Sequence, residues 1–162
     1  MVGIEIQGMK EIHEKALHAV EVLAKWNERA THQSLVYLKA EAIMLAPYKT
    51  GSLRRSIADF PELLRTENGT TYGQYGSDLP YAHITEVGGT IVPKDKKVLA
   101  WYDPKNPNAV QTGKSAGWVF AKKVVRTARP YLFPVLVLGI EKVLANYKDA
   151  YAAAMKEIGA TQ

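Results

Sequence analysis

Hydrophobic and small side chains recur every three or four positions from Met9 to Ala46, a stretch without Gly or Pro. This spacing predicts one face of a helix that ends at Pro47 and runs for roughly 55 Å. Such a helix is long for a small domain. We therefore expect it either to break near Ala30-Thr31 or to project and pack on a neighbouring subunit. The predicted face consists of Ile12, Ala16, Val20, Leu23, Asn27, Ala30, Ser34, Leu38, Ala42 and Leu45.

A second long helix is predicted near the C-terminus, with Pro130 and Pro134 at its start. Its apolar positions keep helical spacing for about six turns. The tail from Gly159 to Gln162 is expected to fray. The apolar face of this helix consists of Leu136, Ile140, Val143, Leu144, Tyr147, Tyr151, Met155 and Ile158.

The sequence predicts short strands and turns in the middle of the chain. Asn68-Gly69 between two strand-like runs is a hairpin signal, and Thr50 is placed to cap a short helix. Asp103–Ala116 is rich in Pro and Asn and predicts a long flexible loop. The predicted strands are 3–7, 60–66, 70–77, 98–102 and 117–125, and the predicted short helices are 52–57 and 80–87.

This order of elements predicts an α+β fold, with the long N-terminal and C-terminal helices packed on one antiparallel β-sheet. The 162 residues suit a single domain over 1–162. The chain has no Cys, which excludes disulfides, thiolate metal sites and a cysteine nucleophile. No apolar run is long enough for a membrane span, and no signal-peptide pattern opens the sequence, so we expect a cytoplasmic site of synthesis and no membrane association.

The net charge of +5 is concentrated in one stretch, because residues 94–129 hold nine basic and two acidic side chains. Two interpretations stay open: a patch that faces nucleic acid or an acidic partner, and a solvated loop with lysines at strand ends. The candidate partner-facing or DNA-facing residues are Lys94, Lys96, Lys97, Lys105, Lys114, Lys122, Lys123 and Arg126.

Aromatic residues on the neighbouring strands could stack on single-stranded bases, although residues with strand spacing usually form a core or an interface. These aromatic residues are Trp101, Tyr102, Trp118 and Phe120.

Other chemical motifs are weak. Gly113-Lys-Ser115 is half a phosphate-binding loop and lacks the earlier glycine, since position 108 is Asn. Glu14 and His18 lie one helical turn apart, as metal ligands can, but no third ligand has matching spacing, and His13 and His32 add none. His83 and Glu86 could form an acid–base pair, while a surface pair or a buried hydrogen bond is the simpler reading.

Three local motifs follow one another along the chain: Ala46–Ile57, Pro80–Gly89, and Phe120–Val125 leading into Arg129–Pro134. Together they resemble the tail-completion and head–tail joining proteins of siphophages, a family of minor tail or morphogenesis proteins. The resemblance covers about residues 9–155. The positions that carry it are Pro47, Thr50, Gly51, Leu53, Arg54, Ser56, Pro80, Tyr81, Ala82, Glu86, Gly88, Arg129, Pro130, Tyr131, Leu132 and Pro134.

The resemblance implies a structural virion protein that forms a ring, usually sixfold, at the neck, where it joins the tail tube or tail terminator to the head connector while DNA passes through. It implies no catalysis, no cofactor and no metal, and assembly in the host cytoplasm before incorporation into the virion. The alternative is a nucleic-acid-binding module that uses the basic segment 94–129.

Overall fold

The computed structural model describes residues 8–67 and 69–160, and these form an α+β fold with long N-terminal and C-terminal helices, as predicted. The predicted strand at 3–7 and Asn68 of the predicted hairpin lie outside the described residues. The helices are α1 (Met9–Leu45), α2 (Ser52–Asp59), α3 (Ala82–Val87), α4 (Phe133–Leu138) and α5 (Ile140–Ala160). The strands are β1 (Leu63–Glu67), β2 (Thr70–Gln74), β3 (Gly89–Ile91), β4 (Leu99–Tyr102), β5 (Trp118–Ala121) and β6 (Val124–Arg126).

The chain contacts divide these elements into two compact units. The first, the helical unit, is formed by residues up to Asp78 together with the chain from Tyr131 onwards, and it contains α1, α2, β1, β2, α4 and α5. The second, the strand unit, is Leu79–Pro130 and contains α3 and β3 to β6.

Helix α1 is a single uninterrupted helix of 37 residues, so the break considered near Ala30-Thr31 does not occur. Thr31 and Ser34, which could compete with helical hydrogen bonds, instead direct their hydroxyls to the carbonyls of Asn27 and Ala30, four residues earlier. The helix ends where the Ala46 N–H donates to the Ala42 carbonyl, just before Pro47.

Helices α1 and α5 run antiparallel and form the core of the helical unit. Ser34 lies beside Asn146, Thr31 beside Tyr147, and Trp26 beside Glu157, so earlier residues of α1 contact later residues of α5. Many of the buried positions on these two helices are small or polar, which lets the helices approach closely. They are Ala30, Thr31, Ser34, Ala42, Asn146, Ala150 and Ala154, and the larger buried residues of α1 are Val22, Leu35 and Leu38.

The β1–β2 hairpin packs against α1 in the same unit, and its register pairs Leu63 with Gln74 and Glu67 with Thr70. Gly73 of β2 sits directly over Leu35, where an added Cβ would be 2.8 Å from that side chain. The Asn27 amide donates to the Thr71 hydroxyl at 3.0 Å. The hairpin predicted around Asn68-Gly69 is therefore present, and Gly69 has the positive φ of 76° that such a turn requires.

The described strands form three two-stranded antiparallel pairs, in contrast to the one sheet expected from the sequence. The predicted strand 117–125 is interrupted at Lys122-Lys123, and its two parts pair with different partners: β5 with β4, and β6 with β3. Strand β3 was not predicted, because its three residues Gly-Thr-Ile are too few to show an alternating pattern.

The C-terminal helix is interrupted at Gly139, whereas the sequence pattern indicated one continuous helix. Gly139 is buried, and an added Cβ would lie 2.8 Å from Leu38 of α1 and 2.8 Å from the Val135 carbonyl. The missing side chain lets the α4–α5 junction approach α1. The apolar periodicity continues through this position, which is why it does not reveal the break.

Loop 103–116, predicted to be flexible, has a defined set of hydrogen bonds within the strand unit. The Asp103 N–H donates to the Gly117 carbonyl at 2.8 Å, and the Val110 N–H donates to the Trp118 carbonyl at 2.9 Å. Ala109, within the loop, is buried. The loop is therefore folded back onto the start of β5.

Candidate assembly surfaces

The first motif builds the end of α1 and the start of α2. Leu53 and Ile57, one turn apart on α2, are buried, as their spacing predicts. Arg54 turns back toward α1 and donates from Nε to the Ala46 carbonyl at 2.9 Å and from Nη2 to the Met44 carbonyl at 3.1 Å. A cation on the free carbonyls at a helix C-terminus is stabilising.

The start of α2 differs in detail from the prediction that Thr50 caps it. Gly51 occupies the N-cap position with a φ of 78°, and Thr50 accepts a long hydrogen bond of 3.4 Å from the Ser52 N–H. The Ser56 hydroxyl donates to the Leu53 carbonyl at 3.2 Å and also contacts the Ser77 hydroxyl. Pro47, Thr50, Gly51, Leu53, Arg54 and Ser56 all serve this helix junction.

The second motif contacts Arg129 of the third motif within the strand unit. The Arg129 N–H donates to the Thr85 carbonyl at 2.8 Å, and Thr85 is buried on α3. Gly88 ends α3 with a φ of 71°, and an added Cβ there would lie 2.6 Å from the Ala128 nitrogen. Only glycine satisfies both the backbone conformation and this close approach.

The remaining motif positions fall on both sides of this contact. Tyr81 precedes α3, and its carbonyl accepts from both the N–H and the hydroxyl of Thr85. Tyr131 begins the return of the chain to the helical unit and is fully buried, while Leu132 is half-buried. The Leu132 carbonyl accepts a hydrogen bond from the Tyr75 hydroxyl at 3.1 Å. Ala82 is buried, Pro80 and Arg129 are exposed, and Pro134 is half-buried at the start of α4.

The weaker chemical motifs do not come together. His83 is exposed and Glu86 half-buried on the six-residue α3, and Lys114 of the Gly113-Lys-Ser115 sequence is exposed in a turn. His13 and His18 are exposed on α1. Within residues 8–67 and 69–160, no group of three His, Asp or Glu side chains is arranged to hold a metal ion.

The basic residues of the strand unit all point to solvent. The unit has nine basic and three acidic side chains, a net charge of +6, whereas the helical unit has a net charge of −1. The basic side chains therefore outnumber the acidic ones three to one on the surface of this unit. The eight candidate residues Lys94, Lys96, Lys97, Lys105, Lys114, Lys122, Lys123 and Arg126 are exposed.

The β4–β5 pair exposes one aromatic face. Tyr102 pairs with Trp118 in the register, and their rings make an edge-to-face contact with centroids 6.1 Å apart. Phe120 lies on the same exposed face, two residues along β5. Trp101 and Val119 alternate onto the opposite face, which is packed. We call Tyr102, Trp118 and Phe120 the aromatic face.

Helix α1 extends beyond α5 at its N-terminal end. The last side-chain hydrogen bonds along the pair join Lys25 and Trp26 to Glu157, near the C-terminus of α5. Val22, one turn before Trp26, is still buried, whereas the positions from Met9 to Glu21 are exposed apart from the half-buried Ala19. We call residues 9–21 the α1 arm. Met9, Ile12 and Val20 share one face of the arm and are 54%, 66% and 64% exposed.

Helix α5 has a second apolar surface that its contact with α1 leaves open. Ile140, Leu144, Tyr151 and Met155 lie on one side of the helix and are 49%, 52%, 47% and 64% exposed. We call these four residues the α5 stripe. They belong to the apolar face that the sequence indicated, whereas the side that contacts α1 carries Asn146, Ala150 and Ala154. That small-residue side was missed, although alanines at i and i+4 are the available sequence signal for close helix packing.

An apolar groove lies at the other end of α1, beside α4. It has a volume of about 150 Å³, and its rim includes the highly exposed Met44 and Leu138. Tyr37 and Glu41 line its side on α1.

One carboxyl group has a shifted pKa. Glu157 accepts a hydrogen bond from Lys25 at 2.9 Å and one from the Trp26 indole at 2.7 Å. The Lys25 contact, followed by the Trp26 contact, lowers the pKa of Glu157 from its ordinary 4.5. These contacts hold the C-terminal end of α5 against α1 at the point where the α1 arm begins.

Among the described helices, none combines the length and the apolar content needed to span a membrane. Comparison with protein-family models, with curated proteins and with solved structures finds no match to this chain.

Proposed function

We propose that this protein is a structural subunit of a tailed bacteriophage virion, which completes the head-proximal end of the tail and joins it to the head connector. The observation that supports this most is the amount of apolar helical surface left open on the helical unit. The α1 arm and the α5 stripe together leave seven large apolar side chains about half exposed or more. Apolar patches of this extent often mark protein–protein interaction sites.

The roles of the motif residues support the same proposal. Arg54 caps a helix, Gly88 allows a close backbone approach, and Tyr131 fills the core. Each of these tasks fixes the shape of the subunit, as a component of a ring requires. We propose a non-catalytic role without cofactor or metal, in a closed ring, with six copies to match the tail tube, that contacts the tail tube or terminator and the connector.

The strand unit provides the charged surface in this proposal. Its net charge of +6 is carried by exposed side chains and would attract acidic partner surfaces or the DNA that passes through the ring. A ring through which DNA passes should bind that DNA only weakly, because tight binding would oppose ejection of the DNA. We therefore expect contact with duplex DNA to be weak and lost at moderate salt concentration.

Cryo-electron microscopy of particles from the phage that encodes the chain tests this function directly. We expect a ring of this chain between the tail tube and the head connector. Particles that carry complete, joined tails without this chain at the neck would refute the proposal.

A second candidate function, binding of single-stranded nucleic acid, is favoured by the aromatic face. Exposed Tyr102, Trp118 and Phe120 lie in the most basic part of the chain, and this combination suits base stacking with phosphate contacts. The test is fluorescence anisotropy of a labelled oligo(dT) at increasing salt concentration. Tight binding that Trp118→Ala weakens by about tenfold or more would favour this function over the first.

A further inference from the structure

We propose that the α1 arm of one copy packs on the α5 stripe of the next copy, in a head-to-tail contact that repeats from subunit to subunit. This inference rests on the ring proposed above and adds which two surfaces meet. It is based on the exposure, length and spacing of the two surfaces.

The α1 arm needs a partner to be stable as a helix. A segment of 13 residues is marginal as an isolated helix in water, since most helical stability in proteins comes from packing an apolar face. Continuity with the rest of α1 helps to nucleate the arm. It does not cover Met9, Ile12 and Val20, which all lie beyond the contact of Lys25 with Glu157.

The arm and the stripe match in length and spacing. Met9 to Val20 spans about 17 Å of helix, and Ile140 to Met155 spans about 23 Å. In each helix the apolar positions follow three- and four-residue steps, with Ala16 completing the face of the arm. Two such faces can interlock as ridges and grooves.

Coverage of both surfaces favours a head-to-tail contact over a symmetric one. Taking roughly 150–200 Å² for a large apolar side chain, each surface leaves roughly 300–400 Å² open. One contact between arm and stripe therefore buries roughly 600–800 Å² counted over both partners, about half of the ~1,600 Å² of a standard interface. In a closed ring every subunit covers both surfaces, once with each neighbour, whereas a two-fold dimer through the arm alone or the stripe alone leaves the other surface open.

The α1 arm cannot contact the α5 stripe of its own chain. Ile12 lies 13 residues before Lys25, and Leu144 lies 13 residues before Glu157 in a helix of opposite direction. The two side chains are therefore separated by roughly 40 Å along the helix pair. Any contact between them joins two copies.

The chain has no natural cysteine, so disulfide trapping gives a direct test. Ile12→Cys and Leu144→Cys chains are mixed at high concentration under mild oxidation. Glu14→Cys is the control on the opposite, polar face of the arm, and Lys156→Cys is the control on α5 outside the stripe. We expect a mixed dimer from Ile12→Cys with Leu144→Cys at least about tenfold above either control pairing.

Three outcomes would overturn the pairing. Equal or greater self-dimers of Ile12→Cys or of Leu144→Cys would indicate a symmetric contact. Trapping of Ile12→Cys by Leu138→Cys in preference to Leu144→Cys would place the arm in the groove beside α4. No mixed dimer above the controls, with a wild-type chain that stays monomeric in sedimentation velocity, would exclude the contact.

A second experiment uses charge to block each surface separately. Ile12→Glu with Val20→Glu blocks the arm, and Leu144→Glu with Met155→Glu blocks the stripe. We expect each variant alone to remain monomeric, and a mixture of the two to give dimers only, because one intact arm and one intact stripe remain. Larger assemblies in the mixture, or dimers of either variant alone, would contradict the head-to-tail arrangement.

Failure of this pairing and failure of the proposed function are distinguishable. A neck ring of this chain joined through other surfaces would keep the function and remove the pairing. A mixed disulfide from a protein absent from the neck would keep the pairing and remove the function.

Discussion

The two faces of α5 differ in a way that hydrophobicity alone does not explain. The face toward α1 is buried and carries Asn146, Ala150 and Ala154, whereas the α5 stripe carries four larger apolar side chains and is about half exposed. Small side chains permit a short distance between the helix axes, and the Asn146 amide gains a hydrogen bond to Ser34 at 3.2 Å. The contact between α1 and α5 is thus a close fit of small side chains, and the larger apolar side chains of the α5 stripe remain exposed.

The largest expected effect comes from disturbing the close fit. Ala154→Leu adds three carbon atoms at a fully buried position and should lower the free energy of unfolding by about 1–3 kcal/mol. Ala152→Leu is the matched control, with the same substitution on the exposed side of α5. Urea unfolding of both variants tests this, and equal stability of the two would show that the inner face is not tightly packed.

A smaller effect should follow from removing the buried polar contact. Asn146→Ala leaves the Ser34 hydroxyl with only its bond to the Ala30 carbonyl and should cost about 1–2 kcal/mol. The double variant Ser34→Ala with Asn146→Ala should cost less than the sum of the single variants, because the two side chains are partners. Strict additivity in urea unfolding would mean that this pair does not couple the helices.

The sequence predicts the elements of this fold better than it predicts what they bury. Spacing located α1, α2, α3, the hairpin and most strands, because helical and strand periods are local properties. The same spacing cannot tell whether an apolar face meets the same chain or another one. Ile140 and Met155 therefore resemble core residues in the sequence, although they are exposed in the subunit.

The other differences depend on contacts between distant parts of the chain. The interruption at Gly139 is set by Leu38, about a hundred residues earlier, and the separate pairing of β5 and β6 is set by their different partner strands. Among the motif residues, the core role of Tyr131 follows from its type and context. The capping role of Arg54 could not be predicted, because its acceptors become neighbours only after α2 folds back.

Truncation of side chains in the α5 stripe should weaken association between copies and leave the stability of the monomer nearly unchanged. Leu144→Ala and Met155→Ala should change the stability of the dilute monomer by less than about 0.5 kcal/mol, since these side chains are already half exposed. At concentrations where copies associate, the same variants should weaken association measurably in sedimentation velocity. A loss of monomer stability comparable to that of Ala154→Leu would show that the stripe belongs to the core of the subunit.

The smallest expected effect concerns the ion pair between Lys25 and Glu157, at the C-terminal end of the contact between α1 and α5. The folded state lowers the pKa of Glu157, chiefly through Lys25 and then through Trp26, so folding favours the carboxylate. The resulting stability is present above the ordinary pKa of 4.5 and is lost as the pH falls through the lower pKa of the folded state. Glu157→Gln keeps an acceptor for the Trp26 indole and removes this titration.

Urea unfolding at pH 6 and at pH 3 should therefore show a smaller loss of stability on acidification for Glu157→Gln than for the wild type. Because Lys25 and Glu157 are largely open to solvent, the difference should be small and should shrink further at high salt. Lys25→Met removes the first contact while Trp26 remains, so it should reduce the pH dependence only in part. If the three proteins lost stability equally between pH 6 and pH 3, Glu157 would not link the end of α5 to α1 in solution, and the boundary between the packed part of α1 and its arm would be set by apolar contacts alone.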